Sequence, residues 1–119
     1  MSRVTNAPAS RRRRKRNLRL ARGFRGARSK LFRQATEAVD RAMRLATIHR
    51  KQKKREFRAL WIIRLSAACA ERNITYSRFI DGLTKAKVGL NRKMLSEIAI
   101  HDPAGFDRVV EIAKSGLGG

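Results

Sequence analysis

The chain has 119 residues, one domain's worth, and carries 30 lysines and arginines against nine acids, a formal net charge of +21. Self-repulsion on that scale works against a compact chain, and the field around it gathers polyanions, so nucleic acid is the default partner. A single cysteine excludes an internal disulfide and a cysteine-based zinc centre, and no apolar run approaches the roughly 20 residues that span a bilayer.

The charge is unevenly placed. Residues 1–58 hold 21 of the 30 cations, opposed only by Glu37, Asp40 and Glu56, whereas the remaining nine face six acids in residues 59–119. The sequence therefore divides into a basic arm, 1–58, and a small globule, 59–119. Sixteen of the arm's cations are arginines, which fork onto phosphate oxygens and stack on bases in a way lysine does not. Six of them recur at three-residue steps: Arg13, Arg16, Arg19, Arg22, Arg25 and Arg28. A folded RNA suits this chemistry. Composition alone supports a DNA-compacting nucleoid-type protein nearly as well, and that is the alternative reading.

In chain order, residues 1–10 lack apolar periodicity and are expected to stay disordered until a partner supplies contacts. Ser10 is a candidate cap for a helix over 11–21, which has only Leu18, Leu20 and Ala21 to bury. Gly23 and Gly26 bracket Phe24 and Arg25 and predict a turn, where glycine permits positive φ and lets backbone amides approach a phosphate. The plainer reading of the same glycines is that they separate two helices. Residues 27–72 contain neither Gly nor Pro, which predicts one helix of roughly 70 Å. Along it Leu31, Ala35, Ala38, Val39, Ala42, Leu45 and Ala46 form a light apolar stripe at helical spacing.

The stripe then stops. Arg50, Lys51, Lys53, Lys54 and Arg55 crowd a stretch with no apolar residue, so nothing there can be core, and bound phosphates would relieve their mutual repulsion. Apolar residues resume at Phe57, Leu60, Trp61, Ile62, Ile63, Leu65, Ala67 and Ala68, which predicts a stretch wrapped by later helices, with Trp61 in the core and stacking of its ring on a base as the other use. Three more helices follow. Thr75 or Ser77 starts the first, Asn91 caps the second, and Asp102 with Pro103 opens the third, which Ser115 and Gly116 end. The fold class is all-α, a long basic N-terminal helical arm followed by a small C-terminal helical globular domain. About 61 residues is close to the size at which a core is only just self-sufficient.

Catalysis finds little support. His49 and His101 are the only histidines, and neither has a metal-ligand partner at helical spacing. Asp102 is explained as a helix cap rather than an acid–base group beside His101. Cys69 sits among alanines, as a small buried thiol does. Tyr76 is open to two uses, its ring packing while its hydroxyl reaches a phosphate. The expectation is a non-enzyme with no cofactor, metal, small-molecule substrate or membrane attachment.

Several motifs together resemble a known family. They are Arg22, Gly23, Phe24, Arg25, Gly26, Ala27, Arg28 and Ser29; then Phe57, Arg58, Ala59, Leu60, Trp61, Ile62, Ile63 and Arg64; then Tyr76, Ser77, Arg78, Phe79 and Ile80 with Gly82 and Leu83. Further along come Arg92, Lys93, Met94, Leu95, Ser96, Glu97, Ile98 and Ala99, followed by His101 and Asp102. In this order the chain resembles bacterial large-subunit ribosomal protein number twenty. The resemblance implies a protein that binds large-subunit (23S) ribosomal RNA early in assembly, beside neighbouring large-subunit proteins. It also implies a cytoplasmic, ribosomal location, with a plastid or mitochondrial relative as the other setting. Some members of that family also repress their own messenger RNA.

Carried onto this sequence, the RNA contacts of the arm fall on Arg3, Arg11, Arg12, Arg13, Arg14, Lys15, Arg16, Arg19, Arg22, Gly23, Arg25, Gly26, Arg28, Ser29, Lys30 and Arg33. They continue on Arg50, Lys51, Lys53, Lys54, Arg55 and Arg58, with Arg64 a further candidate beyond the arm. In the globule the resemblance points to Ser77, Arg78, Lys85, Arg92, Lys93 and His101, to which the reading of Tyr76 adds that residue. So few cations there suit recognition of RNA shape.

Overall fold

A computed structural model describes residue 3 and residues 5–119. Among them all regular structure is helical: α1 (Ala7–Leu20), a 3-10 turn (Gly26–Ser29), α2 (Phe32–Ala70), α3 (Tyr76–Lys85), α4 (Arg92–His101) and α5 (Pro103–Leu117). The all-α expectation holds. The chain forms two compact units, Met1–Lys51 and Gln52–Gly119, with the boundary inside α2.

The first unit has little core. Ala21, Ala35 and Val39 are buried, with Leu18 and Phe24 packed against them. The stripe expected along α2 is covered only there. Ala42, Leu45 and Ala46 are exposed, because the end of α1 and Phe24, which among the described residues cover the stripe at Ala35 and Val39, reach no further.

Helix α1 begins earlier than expected. Pro8 stands in its first turn, and the amide of Ser10 donates to the carbonyl of Asn6 at 3.0 Å, so Ser10 lies inside the helix rather than capping it. Residues 7–10 are thus helical, while Met1, Ser2 and Val4 lie outside the described residues.

The one long helix expected over 27–72 is present but shorter at both ends, α2 spanning Phe32–Ala70. Gly23 and Gly26 take φ of 88° and 69°, conformations that favour glycine, and they set off a 3-10 turn whose Ser29 hydroxyl donates to the carbonyl of Gly26. Only at Phe32 does α2 start. It ends at Ala70, where Asn73 at φ 55° lets the amide of Ile74 reach back to the carbonyl of Cys69 at 3.2 Å.

The second unit is a helical globule. Leu65 and Cys69 of α2, Ile74 of the connection that follows, Phe79 and Leu83 of α3, Leu95 of α4, and Phe106, Val110 and Ala113 of α5 form one buried cluster. Each run recurs at three or four residues, the spacing that puts side chains on one helix face. Phe79 and Phe106 meet at 5.5 Å between centroids with a 46° tilt, and the Arg72 guanidinium lies 4.9 Å from the Phe106 centroid.

Caps end these helices as the sequence predicts. Thr75 accepts from the amide of Arg78, Asn91 from that of Met94 at 2.9 Å, and Asp102 from that of Gly105 at 3.0 Å with Pro103 opening α5. Between Thr75 and Ser77, Thr75 is the cap.

Three expectations for this unit change. The stretch from Phe57 onward is not wrapped: Phe57, Leu60 and Ile63 are exposed, and the covering begins at Leu65. Trp61 is half-buried outside the core cluster, paired with Phe57 at 6.3 Å between centroids. Finally, α5 runs past Ser115 and Gly116 to Leu117. Gly116 is there for close approach, since a Cβ on it would lie 2.5 Å from the carbonyl oxygen of Gly82. Gly82 meets α5 in the same way, its missing Cβ 2.1 Å from the carbonyl oxygen of Ala113.

Candidate nucleic-acid interface

In α1 the residues Arg11, Arg12, Arg13, Arg14, Lys15, Arg16 and Arg19 are all exposed. Successive residues of a helix are turned by about 100°, so an unbroken basic run surrounds the axis instead of forming one face. Arg22 and Arg25 follow in the glycine turn, Arg28 and Ser29 in the 3-10 turn, Lys30 just after it and Arg33 in the first turn of α2. The three-residue arginine series therefore passes through α1, a turn and a 3-10 segment. Neither Gly23 nor Gly26 has an atom within 4 Å of where a Cβ would stand, so both serve backbone conformation and leave the turn open. Arg3 is exposed and belongs to no element.

Two rings partner arginines in this unit. The Arg14 guanidinium lies 5.9 Å from the Phe32 centroid and that of Arg28 lies 5.8 Å from the Phe24 centroid. The sequence reading missed both aromatic residues as binding candidates, together with the exposed Arg41 and Arg44 of α2. A signal existed for the last two, which sit at i, i+3 among the small residues of the stripe.

Farther along α2, Arg50, Lys51, Lys53, Lys54, Arg55, Arg58 and Arg64 are exposed. Among the described residues of 3–58 the one ion pair is Arg33 with Glu37, at 4.0 Å and largely in solvent. Such a pair contributes little and leaves the cations available.

The globule's candidates are differently placed. Ser77 and Arg78 stand exposed at the start of α3. Arg92, at the start of α4, donates from Nε to the Tyr76 hydroxyl at 2.7 Å, which brings those two together and leaves the half-buried tyrosine ring beside the core. Lys93 is exposed beside Arg92. Lys85 is held by Asp81 at 3.0 Å, and His101 Nε2 lies 3.2 Å from Glu97. Arg78 also lines a cavity of about 210 Å³ with Lys114, whose Nζ donates to the carbonyl of Arg72. Lys114 did not stand out in the sequence, where it reads as one cation near a helix end.

Nothing in this arrangement resembles a reaction centre. Among the described residues no group of three histidine, cysteine or acidic side chains could hold a metal ion, and no helix is long and apolar enough to cross a membrane. Cys69 is buried in the core, and burial pushes its thiol up to about 11 against the pull of Arg72. A thiol so placed is neither ionised nor reachable.

Comparison with known proteins agrees with the motif reading. The family described as ribosomal protein L20 matches residues 3–109. A large ribosomal subunit protein bL20 from Methylacidiphilum infernorum is 57% identical over 116 residues, covering 98% of this chain and 97% of the relative. Those from Syntrophotalea carbinolica and Geobacter metallireducens are 54% and 53% identical, covering 98% and 97% of this chain and 99% and 98% of their own lengths.

Proposed function

The chain belongs to the ribosomal protein L20 family, and from that premise we propose that it is a structural constituent of the large ribosomal subunit that binds large-subunit ribosomal RNA directly and promotes early assembly. Its place is then the ribosome, within the cytoplasm, beside other large-subunit proteins. The work is done by arginine and lysine side chains on phosphates, chiefly in residues 1–58, with a second, sparser surface in 59–119 around Ser77, Arg78, Arg92 and Lys93. No catalytic step is assigned to it. Binding to its own messenger would use the same chemistry on a second RNA.

One observation carries this reading. Every lysine and arginine described between positions 3 and 58 is exposed, and all but Arg33 lack a carboxylate partner there. A folded chain that leaves so much charge of one sign unopposed is completed by a polyanion. The DNA-compacting alternative gains nothing from the family membership. Titrating the protein with large-subunit ribosomal RNA at increasing salt tests the proposal: about ten engaged phosphates give a slope of log affinity on log salt of roughly −7 to −9. A slope near −2 would sink it, and displacement of that RNA by duplex DNA at equal phosphate concentration would end the claim of RNA preference.

A further inference from the structure

Within the first unit, one cleft does not fit phosphate binding alone. It has a volume of about 480 Å³, with Phe24 and Arg28 on one side and Gln34, Glu37, Arg41 and Leu45 of α2 on the other. Phe24 is half-buried and packs against the Ala21, Ala35 and Val39 cluster, while Arg28 and the α2 side chains are open to solvent. The cleft thus joins an aromatic face, a guanidinium, an apolar floor and an acid. Glu37 is the odd member: in a unit whose only acids are Glu37 and Asp40, a carboxylate at a binding cleft repels phosphate.

We propose that this cleft takes one unstacked guanine base of the bound RNA, an inference that rests on the RNA-binding reading above and specifies part of it. Single-stranded bases are commonly held by stacking on an aromatic ring or guanidinium plane and by hydrogen bonds along their Watson–Crick edge. Phe24 and Arg28 supply both stacking groups, 5.8 Å apart. A base sandwiched between them needs two contacts of about 3.5 Å, so Arg28 has only to swing outward by about 1 Å. Guanine is the base whose Watson–Crick edge presents two adjacent donors, N1–H and the N2 amino group. A carboxylate has two acceptor oxygens and no donor, and Glu37 matches that edge. Adenine and uracil each present an acceptor there that would face the carboxylate unpaired. Leaving Arg33 costs Glu37 little, because that pair is exposed and 4.0 Å apart.

The test uses the full chain and three unstructured decamers of uridine carrying one central guanosine, inosine or adenosine. Inosine keeps N1–H and lacks the amino group. The wild-type chain is expected to prefer guanosine over adenosine by roughly ten-fold, with inosine between, the range that bidentate edge readout gives. Glu37→Gln should abolish the preference, and any gain in affinity from the lost negative charge should be the same for all three decamers. Phe24→Leu should weaken binding of the guanosine decamer by roughly ten-fold. Equal binding of all three decamers by the wild type, or a preference that survives Glu37→Gln, overturns the proposal. If binding is salt-dependent but indifferent to base, the cleft assignment fails and the phosphate reading stands; if the wild type shows no salt-dependent RNA binding, both fall.

Discussion

The two units spend their residues on opposite ends. The second buries a nine-residue apolar cluster with two phenylalanines at its centre, and its acids are used locally, in caps and in pairs such as Asp81 with Lys85. Among its described residues the first buries three, two of them alanines, and leaves every cation but Arg33 without a carboxylate partner. A core that small cannot offset the entropy of ordering its chain together with the repulsion among its charges. The second unit therefore rests on a core of its own, whereas little apolar burial supports the first.

The comparison is tested hardest at Phe106. Phe106→Ala removes a fully buried ring that meets Phe79 and carries Arg72, and should cost about 3 to 5 kcal/mol, most of what so small a core can supply. Urea unfolding should lose its cooperative transition. Ribosomal RNA binding should keep most of its salt slope, since the cations up to Lys51 lie in the first unit and do not depend on that core. Loss of the slope with the transition would show that the units do not divide the labour.

A second difference lies in titration. Burial raises the Cys69 thiol from 9.0 to about 11, so the folded chain keeps a proton that the unfolded chain gives up. This group's contribution is intact below pH 9 and is lost as the pH climbs from 9 toward 11, by roughly 2 to 3 kcal/mol at the upper end. Denaturation of the wild type and of Cys69→Ala across that range should show the steeper alkaline loss only with the thiol present. Parallel curves would mean that the thiol is not held away from water.

Close packing supplies the third. Gly82→Ala would set a Cβ against the backbone of Ala113, which cannot yield as a flexible side chain does, and should cost about 1 to 3 kcal/mol by the same urea measurement. A substitution that adds one methyl and raises helix propensity would normally help an exposed helix position. Stabilisation here would mean that α3 and α5 stand farther apart than described.

These residues show what a sequence makes legible. Caps are local, a side-chain oxygen and an amide three residues on, and Thr75, Asn91 and Asp102 could be read directly. So could the basic character of the arm, which needs no geometry. What escaped depends on distant segments. Gly116 reads as a helix stop but serves contact with Gly82, 34 positions away in the chain. The apolar run around Trp61 resembles core because periodicity says which face is apolar, not whether anything reaches far enough to cover it. In the candidate interface the cations are evident from the sequence, while Phe24 stands there only as a residue between two glycines and Glu37 only as one of three acids opposing the arm's charge, because their meeting in one cleft is a matter of folding.

The smallest effect separates stability from function within α2. Lys51 stands four residues before Arg55 and three before Lys54, so it contributes to a column of like charges. In Lys51→Glu an acid precedes a base at i+4, the favourable order on a helix, and one repulsion is replaced by an attraction worth roughly 0.2 to 0.5 kcal/mol. Far-UV ellipticity of the free chain should rise slightly. RNA affinity should fall for every sequence alike, with the salt slope smaller by about 1, because the substitution removes a phosphate contact and no base contact. In the second unit a change that strengthens helices should leave function alone or help it. In the basic stretch, the repulsion that weakens the free helix comes from the same charge that the proposed function sets against RNA phosphates, so a more helical Lys51→Glu that bound RNA as tightly as the wild type would overturn that assignment.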